Sequence, residues 1–242
     1  MKIFKITPYI FLMLLFVFKT TSVNAAAGAA SSYVNTVYSL HLCEDGSTLS
    51  TCKSPLTLNS TNGTDMDIGS VNAGQSAGSY GNLNVLPIGV KYTYGQVVLS
   101  RSFTISGTGK DANGDDCQTS TSGAAGTATA FAVGEEGTST DAKQTLYAAN
   151  GTGNGDAMNS SPNKNSSTTD DAAAGTLSAG HSFMKFRWQL ASPYTYNGSK
   201  IPSMTISFDL SEGLNFNGDC GGAAGTTNGI TPGSPVITNI IK

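Results

Sequence analysis

Charge is scarce in this chain. Charged residues make up 12 % of its 242 positions, and Arg101 and Arg187 are the only arginines. A nucleic-acid partner needs clustered Lys and Arg to neutralise phosphates, so that class is set aside. Histidine is scarcer still, limited to His41 and His181, and neither sits in a recognisable nucleophile or base motif. No apolar run approaches the roughly 20 residues of a membrane-spanning helix. After the first 25 residues no stretch carries an apolar stripe at i, i+3, i+4, i+7, and Leu, Glu, Lys and Arg are too few to hold helices together. Gly, Ser, Thr, Asn and Ala dominate instead, a composition of turns and pleated strands.

Lys2 and Lys5 precede an apolar run from Ile10 to Phe18 and the small-x-small triplet Val23-Asn24-Ala25. This is the pattern of a secretory signal peptide, residues 1–25, cleaved near Ala25. The next residues, Ala26-Ala27-Gly28, offer no cysteine for a lipid, so the expected product is a soluble chain in the periplasm, at the cell surface or in the medium. Cleavage removes Lys2, Lys5 and Lys19 and moves the net charge from −3 to −6.

All four cysteines, Cys43, Cys52, Cys117 and Cys220, lie in the part expected to be exported, where an even number reads first as disulfides. Cys43 and Cys52 flank Asp45-Gly46, a turn signal, and suit a local staple, which leaves Cys117 with Cys220. The competing reading is a zinc site, against which stand the lack of Cys-x-x-Cys spacing and the oxidising compartment.

In Met184-Lys185-Phe186-Arg187-Trp188-Gln189-Leu190 every even position is apolar and every odd one polar, the period of a half-buried strand with Arg187 on the solvent side. Met204 to Leu210 repeats the pattern, and these two are expected to be antiparallel neighbours. Val37 to Leu42, Tyr92 to Ile105, Thr127 to Val133, Gln144 to Ala148 and Val236 to Ile241 are further strand candidates. The fold class is therefore all-β, an antiparallel β-sandwich. Residues 26–242 form one domain with a low-complexity insertion at about 107–180, whose only large apolar residues are Phe131, Val133, Leu146, Tyr147, Met158 and Leu177. Within it, Thr127 to Val133 and Gln144 to Ala148 suit a hairpin around Gly134 to Gly137, and Asn150 to Ala174 reads as an exposed loop.

The run Leu86-Pro87-Ile88-Gly89-Val90-Lys91-Tyr92-Thr93-Tyr94 follows Met66-Asp67-Ile68 and a Gly/Ser segment. Over residues 33–106 this order resembles secreted bacterial β-sandwich domains of uncharacterised function, prealbumin-like or immunoglobulin-like in style. The resemblance implies an exported sandwich of sugar-binding or adhesive type, with a long strand from Tyr92 to Ser106, and brings no catalytic residues. Pro87 presetting φ and Gly89 permitting an unusual φ explain a turn there in any case.

Candidate sites are few. His41 alternates opposite Tyr38, Leu40 and Leu42 and reads as solvent-facing. The acid pairs Asp115-Asp116, Glu135-Glu136 and Asp170-Asp171 read as solvated turn charges. Asp111, Asn113 and Asp115 occupy positions one, three and five of a calcium-loop spacing, but Asp116 stands at position six and Ser122 at twelve, where glycine and glutamate belong, so an Asx turn without metal competes. Trp188 shares the face of Phe186 and reads as core, whereas Tyr194 and Tyr196 fall in a Pro/Asn/Gly loop and are the candidate contacts for a carbohydrate or cell-surface partner. The reading that unites these features is an exported non-enzymatic β-sandwich with a surface, adhesive or ligand-binding role. The alternatives are an outer-membrane β-barrel and a secreted hydrolase without a familiar motif.

Overall fold

The computed structural model describes residues 25–49, 51–70, 82–138, 141–148, 158–161, 177, 183–199, 202–223, 225 and 227–241. The expected signal peptide apart from Ala25, most of the expected loop Asn150 to Ala174, the pair Asp170-Asp171, and His181 lie outside these residues.

Among the described residues twelve strands follow one another: β1 (Ala26–Glu44), β2 (Leu56–Asp67), β3 (Lys91–Lys110), β4 (Asp116–Gln118), β5 (Glu135–Glu136), β6 (Gln144–Tyr147), β7 (Met158–Ser161), β8 (Phe183–Thr195), β9 (Met204–Asp209), β10 (Leu214–Asn217), β11 (Gly229–Pro232) and β12 (Val236–Ile241). The class is all-β and antiparallel, as expected. The spine is the pair β1–β3, in register from Gly28 opposite Gly109 to Glu44 opposite Tyr92. Strands this long twist too far to keep one full-length neighbour, so each outer edge is tiled by shorter ones. Along β1 these are β10 at one end and β2 at the other. Along β3 they are β8, β6 and β4 in turn. β11, β7 and β5 add a further layer of pairing at the margins. Gly89, at φ 83°, turns the chain into β3, as the Pro87–Gly89 turn anticipates.

The spine serves two apolar clusters. Near the start of β1, Tyr33, Phe103, Ile105, Leu146, Phe216 and Ile230 pack together beside the Cys117–Cys220 disulfide. Here Gly28 and Gly109 face one another beneath Phe216, whose ring stands within 2.6 Å of where a Cβ would be on either. At the other end, Leu40, Leu42, Tyr92, Phe186, Trp188 and Leu190 form the second cluster. The Cys43–Cys52 disulfide closes the loop that follows β1. Both cysteine pairings are those the sequence suggests.

Two strand expectations are corrected. Thr127 to Val133 is not a strand and makes no hairpin with Gln144 to Tyr147. It holds two isolated bridges, Thr127 to Ala130 and Ala132 to Ile230, while β6 pairs with β3 over Ser102–Ile105. The few apolar side chains of the insertion cannot form a core of their own, so Ala132, Leu146 and Leu177 go to the shared one. Likewise β9 does not pair with β8. It forms a separate two-stranded ribbon with β12, from Met204 opposite Ile241 to Asp209 opposite Val236. One edge of β8 is taken by β3, and residues Phe183–Phe186 on the other edge pair with β7, so Met158–Ser161 is strand and not loop.

Candidate functional site

The two faces of the sheet at the β8 end differ in chemistry. Register aligns Leu40, Val97 and Phe186 across β1, β3 and β8, and the same face carries Leu99, Met184 and Trp188. A bulge between Val37 and Ser39 shifts parity along β1, so both Val37 and Leu40 belong to this apolar face. The β9–β12 ribbon lies over it and turns Ile206, Phe208 and Ile237 towards it. Between sheet and ribbon is a cavity of about 130 Å³. Its far wall comes from β2 through Asn59, Thr61, Thr64 and Met66, and its lower end from Tyr33, Asn35 and Phe103. Among the described residues that line it, none is charged.

Two lining residues hold enclosed polar atoms without a partner among the described residues. Asn35 is 8 % exposed, and its Nδ2 donates to the carbonyls of Ser100 at 3.0 Å and Ser102 at 3.1 Å, while Oδ1 accepts nothing. Trp188 is 7 % exposed, and its Nε1–H has no acceptor. The indole lies flat against Gly95, its register partner on β3, and its ring atoms are as close as 2.4 Å to where a Cβ would be. At the lower end the Tyr33 hydroxyl donates to the Gly233 carbonyl at 3.0 Å, and burial pushes its pKa up. Such a site can desolvate an apolar molecule and orient it with one or two hydrogen bonds. Ser39, which also lines it, is hydrogen-bonded at 2.8 Å to His41 of the other face.

The opposite face is polar yet buried, which corrects two expectations. Arg187 is 1 % exposed and Lys185 is fully buried, so neither faces water, and His41, at 5 %, is not solvent-facing. Alternation reports that two faces differ in polarity. It does not report that the polar one is bare, and here the Cys43–Cys52 loop folds back so that Arg187 Nη1 donates to the Leu49 carbonyl at 3.3 Å. Register aligns His41, Gln96 and Arg187 in one row and Ser39, Val98 and Lys185 in the next. His41 Nε2 is 2.8 Å from Ser39 Oγ and Nδ1 is 3.2 Å from Thr57 Oγ1. Burial, then the charges of Lys185 and Arg187, pull the His41 pKa down to about 4. At neutral pH the ring is uncharged, and its hydrogen-bond partners are hydroxyls with no carboxylate among them.

The other sequence candidates are placed as follows. Asp111 is buried, and its Oδ1 accepts from the backbone N–H of Asn113 at 2.8 Å and of Asp115 at 3.0 Å, the arrangement of an Asx turn. Asn113 and Asp115 are exposed. Asp111 also neighbours the sulfurs of Cys117 and Cys220, but these are joined as a disulfide and offer no thiolate to a metal. Tyr194 and Tyr196 are half-buried against the second cluster, outside the cavity, and the Tyr196 backbone carbonyl accepts a hydrogen bond from the Gly89 amide at 2.9 Å. Asp116 pairs with Lys110 at 2.7 Å on the surface.

Sequence reasoning missed two features. The cavity draws on strands far apart in the chain and has no local signature. Gly74-Gln75-Ser76-Ala77-Gly78 has the Gly-x-Ser-x-Gly spacing of a nucleophile elbow, a motif that requires a strand-to-helix turn, and it lies outside the described residues. Comparison of the chain with protein-family models, with curated proteins and with solved structures finds no match, so its chemistry is read from its own residues.

Proposed function

We propose that this chain is an exported, non-enzymatic β-sandwich that binds a small apolar molecule in the cavity between its curled sheet and the β9–β12 ribbon. The observation that carries this reading is the cavity wall: Leu40, Val97, Leu99, Phe186 and Trp188 below and Ile206 and Ile237 above, with no charge among its described residues. An interior normally closes on itself at close packing, and a cavity of about 130 Å³ is near the size, roughly 150 Å³, at which an apolar hole admits a benzene-sized guest. Two disulfides favour an oxidising compartment, in keeping with the basic and apolar N-terminal segment. Against a lipid-facing barrel, the large apolar side chains exposed among the described residues are Leu49, Val85, Ile88, Val236 and Ile240, too few for a continuous band.

Isothermal titration of the chain from Ala26 onward with toluene tests the reading. Saturable binding at one site is expected, together with its loss in Val37→Phe, which fills the cavity. A flat titration of the folded wild-type protein, or binding unchanged in Val37→Phe, overturns it.

A further inference from the structure

We propose that the ligand of this cavity is an unbranched alkyl chain, of the kind carried by fatty alcohols, fatty acids and lipids, lying along β1 beneath the β9–β12 ribbon. This rests on the cavity reading above and names the molecular shape the cavity takes.

The register gives the cavity its direction. Tyr33, Asn35, Val37 and Leu40, which line it from β1, follow one another over seven residues, roughly 23 Å of strand. Opposite the last three, β3 contributes Phe103, Leu99 and Val97 to the lining. Opposite the same three on the other side, β2 contributes Met66, Thr64 and Asn59. The cavity therefore runs parallel to the strands, floored by successive rows of side chains. Its roof follows the same line. Phe208 packs with the cluster of Tyr33 and Phe103, Ile206 and Ile237 pack with the cluster of Leu40 and Phe186, and Leu99 touches both clusters.

Shape narrows the class. A volume of about 130 Å³ would hold one ring if it were compact, but drawn out over this length it cannot seat rings one behind another. A chain one methylene wide can follow it from end to end. Each methylene buried contributes about the same transfer free energy, so affinity grows with chain length until the cavity is full. A ring uses one stretch only, so toluene tests the cavity and not its shape.

The two sides of the cavity differ. Beside Tyr33 sheet and roof are tied together, because the Tyr33 hydroxyl donates to the Gly233 carbonyl at 3.0 Å and both residues line the space. On the β2 wall the lining residue Thr64 is exposed, so the cavity meets solvent there and a polar head can stay in water. With no cation among the described lining residues to pair with a carboxylate, a neutral head is preferred.

The test titrates the chain from Ala26 onward with butan-1-ol, hexan-1-ol, octan-1-ol and decan-1-ol at neutral pH, read by calorimetry and by emission of Trp188, the only tryptophan and a lining residue. Affinity is expected to rise about fourfold per added methylene through decan-1-ol. Octan-1-ol should bind at least tenfold tighter than cyclooctanol, which has the same number of carbons closed into a ring. Decanoate should bind more weakly than decan-1-ol; tighter binding would still support the chain and would assign it to a free fatty acid. In Val37→Phe, which crosses the cavity midway along β1, the gain with length should vanish. A plateau reached by hexan-1-ol, or cyclooctanol bound as tightly as octan-1-ol, overturns the inference and, where toluene binds, leaves the cavity reading standing. If no alcohol and no toluene bind the folded protein, the cavity reading itself has failed. Should Val37→Phe not fold, the length series and the octan-1-ol to cyclooctanol ratio of the wild-type protein decide alone.

Discussion

Ser39 Oγ stands 2.8 Å from His41 Nε2, in a face where Lys185 is fully buried and Arg187 is 1 % exposed. The pair is a hydrogen-bonded serine and histidine enclosed with two cations, and burial with those cations holds the ring neutral.

Acid should therefore cost stability at this ring. Its folded pKa, about 4, lies below the ordinary 6.5, so between the two the unfolded chain binds the proton and the folded chain does not. The stabilisation is complete above pH 6.5 and is lost as pH falls towards 4. A shift of that size corresponds to about 3 kcal/mol. Urea unfolding of wild type and His41→Gln across this window is the check. Wild type should lose about 3 kcal/mol more than the variant, and parallel curves would refute the buried neutral ring.

Phe186 and Arg187 should both be costly to truncate, although they point to opposite faces. Phe186→Ala opens the apolar cluster and should cost about 3–5 kcal/mol. Arg187→Ala removes the bond to Leu49 O and leaves a hole in a covered polar layer, and should cost about 3 kcal/mol. Chemical denaturation separates this from the exposed-arginine expectation, which requires a loss under about 1 kcal/mol.

What was legible in the sequence follows the range of the signal. Val236 to Ile241 is read to the residue, because its β-branched composition is a local signal, and so is the turn that launches β3, because Pro87 and Gly89 act on their own backbone. The disulfide pairs follow from one short spacing and elimination. Partner choice is a long-range property, so the sequence points β9 to its chain neighbour β8, whereas its mate is β12. Burial of Arg187 was hidden for the same reason, since the loop that covers it is more than a hundred residues away. Asn35 lies outside the expected strand Val37 to Leu42, and the structure places it within β1. Only the bulge opposite it, invisible in the sequence, brings the Ser100 and Ser102 carbonyls to its amide.

The two disulfides should differ in worth. In the chain-entropy account the Cys43–Cys52 loop, with a separation of 9, contributes roughly 2.7 kcal/mol, and Cys117–Cys220, with a separation of 103, roughly 4.7 kcal/mol. Replacing Cys117 and Cys220 together by serine should lower the melting temperature more than replacing Cys43 and Cys52. Non-reducing peptide mapping should return both pairs. The reverse order of stability would indicate that native-state strain outweighs loop closure at the longer bridge.

Gly95 gives the sharpest test of the apolar face. It is a strand residue without positive φ, so its side chain is absent for reasons of space: a Cβ there would meet the Trp188 ring at 2.4–2.5 Å, far inside contact distance. Gly95→Ala must lift the indole off β3. Overpacking of this kind should cost about 1–3 kcal/mol. Because Trp188 lines the cavity and is the sole tryptophan, the displacement should also shift its emission and weaken toluene binding. Gly114, in the β3–β4 turn, has open space around its Cβ position but a φ of 90°, so Gly114→Ala should cost backbone strain and leave the Trp188 spectrum unchanged. Equal spectral shifts in the two variants would show that the indole does not rest on Gly95, and the floor of the cavity would need to be redrawn.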